Sequence, residues 1–262
     1  MSLTPTEQAL KDEFIRARGY WRPWTEGLLR LNPAFLEAYA RYAGYPAATG
    51  PLSRKMCELI YVALDGSATH LFRSGLTLHM KLALESGASA QEIIKVLQLA
   101  TVQGLDGCNL GVEILVEELA AAGHDTLLQQ AELSVEQKKL RADYLARFGD
   151  WPDFCDHLLR QDPGYFAVML ALLVVAPSSN GLDPKSRGLI ALALSACFTA
   201  LNPHGLRLQI RRAIWIGTDH REILQVLQMT AHLGVHACTI GVPLLLEAIG
   251  EKQGDGGEGK AP

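Results

Sequence analysis

The chain repeats itself at a fixed offset of 130 residues, and the register runs without a gap from Leu10 to Leu119. Adding 130 turns Trp21 into Trp151, Leu28-Leu29-Arg30 into Leu158-Leu159-Arg160, Pro33 into Pro163 and Lys55 into Lys185. It continues through Gly75 to Gly205, Gly87 to Gly217, Cys108 to Cys238, Gly111 to Gly241 and Glu117 to Glu247. Such register survives only if both halves fold alike, so a fused pair of one domain is expected. A residue present in one half and absent from its partner position then bears on function.

Almost every segment reads as helix. Leu59, Ile60, Ala63 and Leu64 form an apolar stripe that Leu189, Ile190, Ala193 and Leu194 repeat, and no strand alternation interrupts the pattern. Start signals agree: Asp183 precedes Pro184 as an N-cap, Ser53 matches it in the first half, and Ser89 with Glu92 spells a capping box that Asp219 and Glu222 preserve. Gly87 and Gly217 suit the left-handed residue that closes a helix. At 262 residues the chain can form two compact all-α domains, assigned to 1–125 and 140–250, with Ala120 to Lys139 as helix end and connector. The Gly- and charge-rich tail 251–262 has nothing to bury and is expected to be disordered. The apolar run Tyr165 to Ala176, ending at Pro177, is too short for the ~20 residues of a bilayer span and reads as a fully buried helix. Its counterpart, Phe35 to Pro46, carries Glu37 and Arg41 and reads as half-exposed.

A formal net charge of −4 gives no pull toward nucleic acid or an anionic membrane, which leaves small molecules and protein partners. Five cysteines, without a Cys-x-x-Cys pair, do not make a disulfide framework, and no secretory signal opens the chain, so a reduced, cytoplasmic protein is expected.

The run Lys185 to Ala196 closely resembles the first core helix of the carboxymuconolactone decarboxylase family, which includes the alkylhydroperoxidase D-like proteins. Leu76 to Gly87 resembles its next helix, and Glu92 to Ala100 with Gly104 the third. The resemblance implies two tandem copies of an alkylhydroperoxidase D-like helical domain, assembled as a homo-oligomer: a trimer of two-domain chains, in effect a pseudo-hexamer. The thiol branch of the family carries two cysteines and a histidine where this chain has Phe72, Gly75 and His79, and Asn202, Gly205 and Gln209 in the second copy. Without those thiolates, peroxide reduction lacks its nucleophile and resolving partner. It is an alternative only if Cys57, Cys108, Cys197 or Cys238 pair in space.

The decarboxylase branch resembles the chain better around His79, although Gly75 stands where that branch has an acidic residue. The resemblance implies a cofactor-free lyase acting on a small carboxylated lactone or a related metabolite of aromatic catabolism. Loss of CO2 calls for a cationic anchor and a proton donor, roles expected of Arg73 and His79 if both face one pocket. Gln209, His204 and Phe72 are the expected substrate-binding residues; Gln209 orients a ligand but exchanges no proton near neutral pH. The alternative is a member of the family that binds a small molecule or a partner without turnover.

His204, His232 and His236 have no histidine at their partner positions Ser74, Val102 and Asp106. His232 and His236 have the i, i+4 spacing of zinc ligands, but Gly234 lies between them and no Cys-x-x-Cys or His-Glu-x-x-His pattern accompanies them, so no metal or cofactor is assigned. Cys108 and Cys238 are expected to be small buried hydrophobes. Trp21, Trp24, Trp151 and Phe154 read as core packing, with the wall of a pocket at the domain junction as the alternative.

Overall fold

A computed structural model describes residues 3–124, 132–175, 181–200 and 202–255. They are all-helical, and no strand occurs among the described residues. The helices are α1 (Pro5–Arg18), α2 (Pro23–Leu31), α3 (Pro33–Thr49), α4 (Arg54–Asp65), α5 (Arg73–Glu85), α6 (Ala90–Val102) and α7 (Leu105–Ala121). The order recurs as α8 (Val135–Phe148), α9 (Asp153–Gln161), α10 (Pro163–Leu173), α11 (Pro184–Ala196), α12 (Pro203–Trp215), α13 (His220–Thr230) and α14 (His236–Asp255). A 3₁₀ turn, Ala231–Val235, joins the last two.

Local chemistry sets these boundaries. Ser53 and Asp183 accept from Met56 N and Ser186 N at the starts of α4 and α11, and both capping boxes close as the spacing predicts. Gly87 and Gly217 have φ of 88° and 78°, the left-handed region in which a Cβ is strained.

The repeat does not divide the hydrophobic core. One central cluster draws Leu59, Ile60 and Val96 from the first copy and Leu189, Ile190 and Val226 from the second. Buried amides stitch the copies together. Gln225 on α13 donates to Pro46 O at 2.7 Å and accepts from Leu52 N at 2.8 Å, and Gly50 leaves room because any side chain there would collide with it. Gln103 donates to Leu194 O at 3.0 Å and accepts from Ser67 Oγ at 2.7 Å. Thr69 and Thr199, 130 positions apart in the sequence, meet at 2.8 Å.

Two satellite clusters flank this core, and each is built across the copies. Phe14, Trp24, Leu36 and Tyr39 of the first three helices pack on Val242 and Leu246 of α14; Tyr144, Phe154 and Phe166 pack with Leu105 and Val112 of α7. The expected role of Trp21, Trp24, Trp151 and Phe154 as packing residues is met in these two clusters.

Three expectations need correction, the first being that Cys108 and Cys238 are half-buried and not buried. The α10 helix is not fully buried within one chain: Phe166, Met169 and Leu170 face inward, but Tyr165, Val168 and Leu172 are exposed, as is Val175 just past its end. Ala176 and Pro177 lie outside the described residues. The tail does not begin at 251, since α14 runs on to Asp255; residues 256–262 lie outside the described residues. The stretch His220–Gly250 is long and apolar enough to cross a bilayer by length and composition, with mean hydropathy 1.6. Its first helix instead buries Ile223, Val226 and Met229 in the central core.

Candidate functional site

Helix α4 carries Glu58, Tyr61 and Asp65 at a spacing that puts them on one face, and this face looks onto His79 of α5. All four side chains are buried. His79 Nδ1 meets Glu58 Oε2 at 2.7 Å, its Nε2 lies 3.9 Å from Asp65 Oδ2, and its ring stacks on Tyr61 at 4.6 Å. The Glu58 bond fixes the ring orientation and leaves Nε2 for chemistry.

The second copy closes the site. Tyr61 Oη meets His232 Nδ1 at 2.6 Å, and His236 Nε2 lies 3.6 Å from Asp65 Oδ1. His70 on the α4–α5 turn meets His236 Nδ1 at 2.7 Å, and Phe72 stacks on the His236 ring at 3.9 Å. From α1, Arg18 donates to Ala43 O at 2.9 Å, reaches Tyr61 Oη at 3.5 Å and lies over the Tyr61 ring. Among the described residues no carboxylate pairs with it.

Burial governs the titration of these groups. It pushes the Asp65 carboxyl up to about 8, so that it holds a proton at neutral pH. It pushes His232 and His236 down to about 3, with the Arg18 charge adding to the effect at His232. His79 is lowered by burial against the opposing pull of Glu58. Three buried atoms here have no hydrogen-bond partner: Arg18 Nε, Asp65 Oδ2 and His232 Nε2. A cation, an acid and a neutral imidazole are thus left unsatisfied around one acid–base pair, an arrangement that desolvation makes costly unless something polar enters.

Asp65, His70 and His236 have ligand-type atoms within 4.8 Å of one another. The His70 and His236 rings, however, lie 13° from coplanar with centroids 4.9 Å apart. That is an in-line N–H···N contact rather than two lone pairs converging on an ion.

The structure splits the residues singled out by sequence. His79 and Phe72 are in the site. Arg73 is exposed at the start of α5, and none of the site's hydrogen bonds or ion pairs involves it; the guanidinium in the site is that of Arg18, which the helix α1 brings in from 61 positions earlier than His79. Gln209 and His204 line a separate cavity of about 130 Å³ with Asn202, Ser195 and Asp106. This cavity is the image of the His79 site one repeat on, since Gln209, Ser195 and Asp106 match His79, Asp65 and His236. The His232–His236 pair serves the site but is broken by the 3₁₀ turn, which sends His232 to Tyr61 and His236 to Asp65.

Arg18, Glu58, Tyr61 and Asp65 were not found by sequence reasoning. The signal was present: their partner positions hold Phe148, Gly188, Ala191 and Ser195, none of them ionisable in the same way. The missing acid at Gly75 also has its explanation, because the Asp65 carboxyl fills the space that a side chain at 75 would need. All five cysteines are free, and burial raises the Cys57 and Cys155 thiols to about 11 and about 12, the opposite of what a reactive thiolate requires.

Residues 33–107 match the model of the carboxymuconolactone decarboxylase family. A solved structure from Burkholderia xenovorans LB400, carrying the provisional name of a gamma-carboxymuconolactone decarboxylase subunit, is similar over 95% of this chain and 100% of its own, with 32% identity and a TM-score of 0.88. Comparison with curated proteins gave no match.

Proposed function

The chain belongs to the carboxymuconolactone decarboxylase family, and from that premise we propose that it is a lyase acting on a small carboxylated lactone through acid–base chemistry at the His79 site. The observation that carries this reading is the set of unpartnered buried atoms on Arg18, Asp65 and His232 beside the Glu58–His79 pair. Arg18 anchors the substrate carboxylate, and its cation is free to do so because among the described residues no acid neutralises it. When the bond to the carboxylate breaks, CO2 leaves and the electron pair passes into the lactone as an enolate. A proton held by the Asp65–His79 pair then forms the new C–H bond. Each turnover takes up one proton, which suits an aspartic acid that is still protonated at neutral pH.

The gamma-carboxymuconolactone of the similar structure's name is the first substrate to try, followed by other carboxylated lactones. The assay follows CO2 release and proton uptake. Turnover that disappears in His79→Gln and Asp65→Asn supports the reading; a folded protein inert toward the whole panel counts against it and favours the non-catalytic alternative.

A further inference from the structure

The cavity of the second copy is lined by residues one repeat on from those of the His79 site, with the charges exchanged. At the position of Arg18 stands Phe148, and at that of His236 stands Asp106. The cation on its wall, Arg212, is held by both oxygens of Asp150 and lies over Phe148 at 5.3 Å, so its charge is already neutralised. Among the described residues no ion pair neutralises Asp106 or Glu113. Asn109 Oδ1, also on this wall, is a buried acceptor without a donor. Tyr144, Phe148 and Phe154 make the apolar side, and the exposed His204 marks the mouth. The space, about 130 Å³, is close to the engineered cavity of about 150 Å³ that takes up benzene.

We propose that this cavity is a second binding site, for a compact organic ammonium ion with a ring-sized apolar body. An ammonium group offers N–H donors to the Asp106 carboxylate and to Asn109 Oδ1 at once, and the aromatic wall favours a cation with an apolar stem. A carboxylate finds no free cation here and is repelled by Asp106. A neutral alcohol satisfies Asn109 but leaves the half-buried carboxylate uncompensated; burial raises the Asp106 carboxyl against an Asn202 hydrogen bond that lowers it, which is the signature of an acid lacking a counter-charge. The assignment does not rest on the lyase reading, because it uses none of the His79 residues.

Titration calorimetry on the full chain with benzylamine, benzyl alcohol and benzoate tests it. Benzylamine is expected to bind one to one, more tightly than benzyl alcohol, and to lose affinity about tenfold or more in the near-isosteric Asp106→Asn, the scale of a hydrogen bond to a charged group. Asn109→Leu removes the orphaned acceptor, so it is expected to weaken benzylamine while raising the thermal midpoint, two changes that misfolding would not produce together. Binding that is absent at millimolar benzylamine, equal for the alcohol, or untouched by Asp106→Asn overturns the proposal. Loss on His79→Gln with Asp106→Asn unaffected places the amine in the first site and overturns it equally.

Discussion

The Asp65 carboxyl stands where a side chain on Gly75 would have to be, one turn before His79 on the same helix. In the proposed lyase the acid of the proton-handling pair is therefore supplied by the end of α4 and not by α5. Gly75→Ala should collide with Asp65 and with the Phe72 ring, costing ~1–3 kcal/mol as overpacking does. The double change Gly75→Ala with Asp65→Ala should recover that stability in chemical denaturation without recovering turnover. If Gly75→Ala alone is as stable as the parent, the two residues do not share the space.

Stability should fall on both sides of a maximum in the mildly acidic to neutral range. Folded Asp65 keeps its proton up to about pH 8, whereas an unfolded aspartate releases it near ~4, so between these values the folded state binds the extra proton and stability drops as the pH rises. His232 and His236 work in the other direction: folded they stay neutral down to about 3, unfolded they protonate near ~6.5, and stability drops as the pH falls through that window. Urea unfolding of Asp65→Asn should show a flatter alkaline limb and, between pH ~4 and ~6.5 where the opposing windows overlap, a steeper acid limb. An unaltered slope between pH 5 and 8 would argue that Asp65 is not protonated in the fold.

Catalysis should be lopsided between the copies. Removal of the imidazole in His79→Gln should lower the rate by ~10²–10⁴-fold, the usual worth of a positioned acid–base group. Glu58→Gln should lower kcat by misorienting the ring, Arg18→Met should chiefly raise KM for a carboxylated substrate, and Gln209→Ala should do far less than either. For the parent, kcat should decline as the pH rises through about 8, where Asp65 loses its proton. A Gln209→Ala defect as deep as that of His79→Gln would refute the assignment of the reaction to the first copy.

Neither half should be stable without the other. The central cluster uses both copies and Gln225 satisfies Pro46 O and Leu52 N across them. Gln225→Leu strands both backbone groups and should cost ~1–3 kcal/mol or more. Residues 1–124 and 132–255 expressed apart should be aggregated or unfolded, and should regain helical circular dichroism when refolded together. Independent, cooperative unfolding of either half alone would show that the shared cluster is dispensable.

The chain should self-associate. Leu110, Ile114 and Leu115 on α7 are exposed, as are Ile240, Leu244 and Leu245 one repeat on in α14, together with Val168 and Leu172 of α10. Faces of that kind are ordinarily covered, and a second copy of the chain presents the same ones. Light scattering should return a multiple of the chain mass, and Leu244→Glu, which sets a charge on the exposed face of α14, should reduce it. A monodisperse monomer at micromolar concentration would contradict this.

Helix positions, caps and the all-α class were legible in the sequence because they depend on local periodicity and on residues three or four apart, such as Ser89 with Glu92. His79 was legible because the family motif selects it, and Phe72 because it shares that helix face. The sequence also exposed the asymmetry of the copies, through Gln209 opposite His79 and Asp106 opposite His236. What it did not determine was which distant groups would meet. Glu58 and Asp65 meet His79 because α4 packs on α5, whereas Arg18 arrives on α1 and His236 at the start of α14, which packs on the first helices, long-range contacts that carry no local signature. Arg73 had the right charge and the right helix, yet its position on the exposed side of α5 excluded it. Tertiary packing also decided the chemistry itself: an aspartate becomes an acid at neutral pH, and a histidine stays neutral well below its usual range, only when the surrounding helices remove the water that would hold their charges.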